Sequence, residues 1–134
     1  MARPGVDERV TRHLRGLNRR GGYPMSLVCT DRGLLVASAG ESTRAEVAAG
    51  LTSLLTDIVA RASRDLGLAD IDEVTLSDAR VGRFIVRPLA RDHEPRLFLV
   101  VQVPPGRTWR RNTNQAARDL LAILRPLLTT AAKG

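Results

Sequence analysis

Aromatic side chains make up only 3% of this 134-residue chain: one tryptophan, one tyrosine and two phenylalanines. That scarcity counts against a surface built to stack on unpaired nucleobases. A single cysteine, Cys29, cannot form an internal disulfide. With Leu27 and Val28 before it, it reads as a buried thiol in a reducing compartment. No purely apolar run exceeds that of 97–101, whereas a membrane-crossing helix needs ~20 residues. The first nine residues lack the apolar core of a secretory signal, so a cytoplasmic location is expected. Lysine is nearly missing too, since all but one of the 21 basic residues are arginine.

What is present bounds the answer further. At 43% hydrophobic, the chain has enough apolar content to exclude disorder over most of its length. Its length fits one domain, 1–134, with a core over about 6–128 and a loose C-terminal tail. Net charge is +7 with 14 acidic residues, which favours an anionic partner and says nothing about fold.

Val6, Val10, Leu14 and Leu17 recur at helical spacing, so a helix is predicted over 6–17. Gly21, Gly22 and Pro24 break it. Strands are predicted at 25–31 and 34–39, joined by Asp31-Arg32-Gly33 as a hairpin turn. Ser42 or Thr43 with Glu46 reads as a capping box opening a helix over 44–66, which Gly67 ends. Strands follow at 72–77, 82–89 and 96–103, and the last is apolar on both faces and belongs mid-sheet. Pro88 removes a backbone donor and predicts an edge or a bulge. Asp92-His93-Glu94-Pro95 is read as a turn. A final helix over 108–124 carries Trp109, Thr113, Ala116, Ala117, Leu120, Leu121 and Leu124 as its stripe, and Pro126 stops it. The order α-β-β-α-β-β-β-α has strand-to-strand steps short enough for hairpins. It predicts an α/β (α+β) domain with a five-stranded antiparallel sheet, the long central helix on one face and the terminal helices on the other.

The central helix has two faces to bury. Val47, Leu51, Leu54, Leu55, Ile58, Val59 and Ala62 form a wide apolar arc, expected to lie on the chain's own sheet. Opposite it, Ala49, Ser53, Thr56, Ala60 and Ser63 form a stripe of small residues, with Gly50 beside it. Small side chains permit close helix approach, and glycine inside a helix costs about 1 kcal/mol relative to alanine. A second copy packed on that stripe is the economical reading. The dimer interface expected on this basis is Ala49, Gly50, Ser53, Thr56, Asp57, Ala60 and Ser63.

Signatures of catalysis are missing. There is no phosphate-binding glycine loop, since Gly21-Gly22 and Gly33 lack a Gly-Lys-Ser/Thr ending. His13 and His93 have no partners at metal-ligand spacing and read as surface residues. Ser38, Ser42, Ser53, Ser63 and Ser77 sit in no nucleophile motif. Asp70, Asp72 and Glu73 read as a solvated loop rather than an acid/base pair. No catalytic residue, cofactor or metal is expected, and the chain is not read as an enzyme.

Three segments, in order, carry a resemblance: Val28 to Ser38 with its Asp31-Arg32-Gly33 turn and Ala37-Ser38 ending, Ala45 to Leu51, and Arg96 to Val101 followed by the last helix. Together with the element order they resemble the Roadblock/dynein-light-chain family, a fold with the profilin-like ground plan. The resemblance implies a homodimer built on paired central helices, with a sheet continuous across both copies. It also implies a non-catalytic adaptor or regulator of a small Ras-like GTPase, as in bacterial gliding motility, with a GTPase-activating or scaffolding role. The alternative reading is a basic nucleic-acid-binding module. Arg9, Arg12, Arg15, Arg19 and Arg20 near one end, with Arg107, Arg110, Arg111 and Arg118 near the other, would form one patch if the terminal helices lie side by side. Arg12, Arg15, Arg19, Arg110 and Arg111 are the candidate contacts for an anionic partner. Such binding would weaken steeply with salt.

Overall fold

The structure, a computed structural model, describes residues 5–90 and 93–130, with the side chains at 42, 43, 90, 93, 94, 129 and 130 outside the description. The predicted turn residues Arg91 and Asp92, the His93 side chain and the tail at 131–134 therefore lie outside the described residues.

Helix α1 spans Val6–Gly21, with Asp7 and Glu8 in its first turn and Arg19 and Arg20 in its last. That polarity complements the helix dipole. Strands β1 (Met25–Thr30) and β2 (Leu35–Gly40) form the predicted hairpin, and α2 covers Ser42–Leu66. Next come β3 (Val74–Asp78), β4 (Gly82–Ala90), β5 (His93–Glu94) and β6 (Leu97–Val103), then α3 (Arg110–Leu124). A short 3₁₀ turn, Arg125–Leu127, leads to β7 (Thr129–Thr130).

The five long strands make one antiparallel sheet in the order β2-β1-β6-β4-β3. The most apolar strand, β6, holds the centre as predicted. Pro88 sits where the β4–β6 register shifts, between Pro88 and Ala90; the bulge absorbs the missing donor. At the β3–β4 turn the Asp78 carboxylate accepts the backbone N–H groups of Arg80 and Val81, which holds its pKa below the usual range.

Alternation along the strands divides the core into two layers. Val28, Ile85, Leu99, Val101 and Val103 face α1 and α3, meeting Val10, Leu14, Leu17, Ala116, Leu120 and Leu124. Met25, Leu27, Cys29, Val86 and Val100 face α2. Between α1 and β1, the buried Tyr23 hydroxyl donates to the Thr108 carbonyl at 2.6 Å and accepts from Asn112 at 3.0 Å, tying the first helix to the start of the last.

Two local readings are corrected. Helix α2 opens at Ser42 rather than at 44, with Glu41 in the N-cap position and making no side-chain capping bond; the Ser42 and Thr43 side chains of the expected capping box lie outside the described residues. Residues 93–94 are a strand, not a turn. Their backbone pairs with Thr129–Thr130, so the C-terminal segment is tied down that far. Glycine is required at Gly40, which has φ +95° and lies so close to the Pro24 carbonyl that a Cβ would collide with it.

Candidate functional site

Helix α2 is turned opposite to the sequence expectation. Its small residues lie on the chain's own sheet: Ala45, Ala49 and Thr52 are buried, packed on the layer that holds Met25, Leu27 and Cys29. The apolar residues face outward instead, with Val47 63%, Leu51 49%, Leu54 61% and Ile58 62% exposed. Of the expected apolar arc, Leu55, Val59 and Ala62 are half-buried.

The reason lies in who supplies the volume. Long side chains from β1 fill the layer, so the helix contributes alanines and comes in close. The hairpin turn seats against the same face. A Cβ on Gly33 (φ +81°) would lie 3.1 Å from the Ala49 carbonyl and 3.2 Å from the Gly50 Cα. So the small stripe accommodates the chain's own turn and strand. Ala49 is buried within one copy and cannot serve as a contact for a second. Ser53, Thr56 and Ser63 are half-buried against their own chain, while Gly50, Asp57 and Ala60 are exposed.

The outward apolar stripe continues onto the sheet edge. Among the described residues, β3 pairs only with β4, and Leu76 on it is 46% exposed. Between stripe and edge lies a recess of about 450 Å³, lined by Val47, Leu51, Leu55, Leu76, Phe84 and Val100 among others. Arg44 is the one charged residue lining it. The C-terminal half of α2 stands off the sheet over a more polar recess of about 530 Å³, with Thr56 and Ser63 on one side and Pro88 and Phe98 on the other.

Cys29 lies beneath α2. Burial pushes its thiol up to about 11, against a weak opposing pull from the Thr52 hydroxyl. A thiol so protonated is inert, as the sequence suggests. No group of three or more His, Cys, Asp or Glu side chains able to hold a metal ion occurs among the described residues.

On the other face of the sheet, α1 and α3 pack side by side. They bring the arginines of both ends onto one surface. Arg12, Arg15, Arg19, Arg110 and Arg111 are all exposed. A recess of about 320 Å³ runs between the helices, lined by Arg9, Arg12, His13, Gly16, Arg20 and Ile123. Arg9 and Arg20 belong to the expected arginine patch though not to its five candidate contacts, and His13, read as a surface residue, joins them; the spacing at 9, 12, 13, 16 and 20, one helix face, is the signal that marks the recess.

Glu73 is corrected as well. It is not a solvated loop carboxylate: its side chain is 10% exposed and accepts the Trp109 indole N–H at 3.0 Å, with Arg110 at 3.8 Å and Thr75 donating at 3.1 Å. Trp109 stands at the N-cap of α3 with the Arg83 guanidinium 5.0 Å from its ring centroid. Arg110 is thereby partly neutralised.

His13 is half-buried, with its Nε2 3.7 Å from Asp119 Oδ2 and without a hydrogen bond. Burial lowers its pKa; Asp119 acts against this and Arg20 adds to it. The folded chain thus binds fewer protons here than the unfolded one. Stability is fully present above about pH 6.5, the unfolded value, and falls as pH drops toward and through the lowered folded value. Urea midpoints between pH 7.5 and 5 are expected to decline, and His13→Gln should flatten that decline.

No family model matches the sequence, and no curated protein matches it in a sequence comparison. Solved structures do match in three dimensions. The gliding protein MglB of Thermus thermophilus superposes with TM-score 0.78 at 16% identity, covering 94% of this chain and 96% of that one. Myxococcus xanthus MglB gives 0.78 at 15%, with 98% of each chain covered. A Roadblock/LC7 domain from Streptomyces avermitilis gives 0.72 at 18%, covering 87% of this chain and 95% of the other. With superpositions of this quality over most of its length, the chain has the Roadblock/LC7 fold.

Proposed function

We propose that this chain is a homodimeric, non-catalytic cytoplasmic regulator that binds a small Ras-like GTPase. The observation that carries the reading is the outward apolar stripe of α2 beside the unpaired edge of β3. Val47, Leu51, Leu54 and Ile58 recur at spacings of four, three and four, the pattern of a helix–helix seam. A soluble chain rarely leaves so many large apolar residues in water on one helix. A second copy related by a two-fold axis covers the stripe with itself, and β3 meeting β3 continues the sheet. The apolar recess beside Leu76 accepts a side chain from the partner's α2. Self-association accords with MglB, one structure of which has a tetrameric arrangement.

The GTPase part of the reading rests on the Roadblock resemblance and on the likeness to the gliding protein MglB; MglC of Myxococcus xanthus also superposes, at TM-score 0.53 and 19% identity. Two α2 helices, their flanking recesses and the adjoining strands would form a composite platform for a switch protein.

The test pairs light scattering with a pull-down. The mass is expected at twice 14.6 kDa. A small Ras-like GTPase encoded beside this chain should be retained, more strongly in one nucleotide state. Retention in neither state would sink the regulator reading; equal retention in both would leave a scaffold and remove the GTPase-activating role.

A further inference from the structure

The two sides of the sheet differ sharply in charge. Helix α2 carries three arginines (Arg44, Arg61, Arg64) against three carboxylates (Glu46, Asp57, Asp65) and is neutral. Helices α1 and α3 together carry eight arginines against three carboxylates, Asp7, Glu8 and Asp119. Most of the chain's +7 charge therefore sits on one face. Because that face is the far side of the sheet from α2, it stays open when the apolar stripe is covered.

We infer that the α1–α3 face docks on an anionic lipid bilayer, through headgroup phosphates. The recess between the helices supplies the specific contact. Arg9, Arg12 and Arg20 surround it, with His13 and Ile123 at its side. The Arg20 guanidinium folds over Gly16, where a Cβ would stand 3.3 Å from its Nη1. Absence of a side chain at 16 thus keeps the recess open. Guanidinium groups bind phosphate oxygens in pairs, which makes arginine the fitting residue here.

Shape favours a bilayer over a nucleic acid. Helices α1 and α3 pack against one another on this face, and the recess between them admits a headgroup phosphate. Duplex DNA is read by dedicated groove-entering motifs, and no helix-turn-helix accompanies the charge among the described residues. Single strands need stacking rings, and Tyr23, Phe84, Phe98 and Trp109 are all buried or half-buried. Each arginine near an anionic leaflet adds attraction that fades within a Debye length. No helix among the described residues is long and apolar enough to cross a membrane, so the contact is peripheral.

The test is vesicle sedimentation of the full chain with equimolar phosphatidylglycerol and phosphatidylcholine, against phosphatidylcholine alone and against duplex DNA. Binding to the anionic vesicles is expected, with a fall of more than tenfold when salt is raised from about 0.1 to 0.5 M. The triple variant Arg9→Glu/Arg12→Glu/Arg20→Glu should lose at least a hundredfold. Arg32→Glu/Arg64→Glu/Arg80→Glu changes net charge equally and lies elsewhere, so it should lose less than about threefold. All six positions are exposed, and unchanged thermal melts will show both variants folded. Equal losses in the two triples, equal binding to neutral vesicles, or DNA retained at salt that releases the vesicles would each overturn the inference.

Discussion

Leu54→Arg is expected to convert the proposed dimer to a monomer that remains folded. Leu54 is well exposed in one copy, so within the monomer the change removes no core contact and should move stability by less than about 0.5 kcal/mol. In the dimer it counts twice, once per copy across the two-fold axis. Burying a leucine side chain is worth about 1.5–3 kcal/mol, and two guanidinium groups facing one another in an apolar seam add repulsion and desolvation. A loss of at least about 4 kcal/mol corresponds to roughly a thousandfold in Kd. Sedimentation at micromolar concentration should show half the wild-type mass, with helical content by circular dichroism unchanged. Ile58→Arg should behave alike. A Leu54→Arg protein that keeps the dimeric mass would remove α2 from the interface and the proposed platform with it. The melting temperature of the variant will fall if dimerisation contributes to stability, and that part of the shift will depend on wild-type concentration.

Much of this fold can be read without coordinates. The 3.6-residue stripe of α1, the alternation in the strands and the continuous apolar run of β6 place the three helices, the five long strands and even the middle of the sheet. Those signals are local, and they survive because they come from periodicities that burial imposes on any amphipathic element. The β5–β7 pairing is not legible for the opposite reason. Whether residues 93–94 turn or pair depends on where the chain returns after Pro126, some thirty residues later. Glu73 was misjudged similarly: its partners Trp109 and Arg110 are distant in sequence, and only the packing of α3 on β4 brings them within reach.

The orientation of α2 is the more instructive case. Sequence reasoning finds two faces that both need covering. It then assigns the larger apolar face to the chain's own core, on the ground that more apolar area there yields more stabilisation. A core is filled by both surfaces that meet in it, however. Met25 and Leu27 bring bulk from the sheet, so the complementary helix face is the slim one. The large residues are left for a surface whose partner is another slender or grooved element, and α2 of a second copy with the recess near Leu76 fits that description. Nothing within residues 42–66 encodes this choice; it depends on side-chain volumes on β1, which ends at Thr30, well before the helix begins at Ser42.

That inversion separates two substitutions which the sequence treats as equivalent. Ala49→Arg is expected to destabilise the monomer itself, whereas Ala60→Arg should be tolerated. Ala49 is fully buried on the α2 side of the sheet, with the Gly33 turn against its carbonyl. An arginine there must force the helix off β1 or bury an unpaired guanidinium among Met25, Leu27 and Cys29. Overpacking and an uncompensated charge together cost about 3–5 kcal/mol. A domain with a total of about 5–15 kcal/mol cannot absorb that without a visible loss of folded protein. The expected readout is a melting temperature lower by roughly 10 °C or more, with a shifted urea midpoint. Ala60 is exposed on the half of α2 that stands away from the sheet, and its arginine side chain can reach water along its own stem. Were Ala49→Arg instead to melt like the wild type while sedimenting as a monomer, the small-residue stripe would be the dimer seam after all, and the orientation of α2 described above would be wrong.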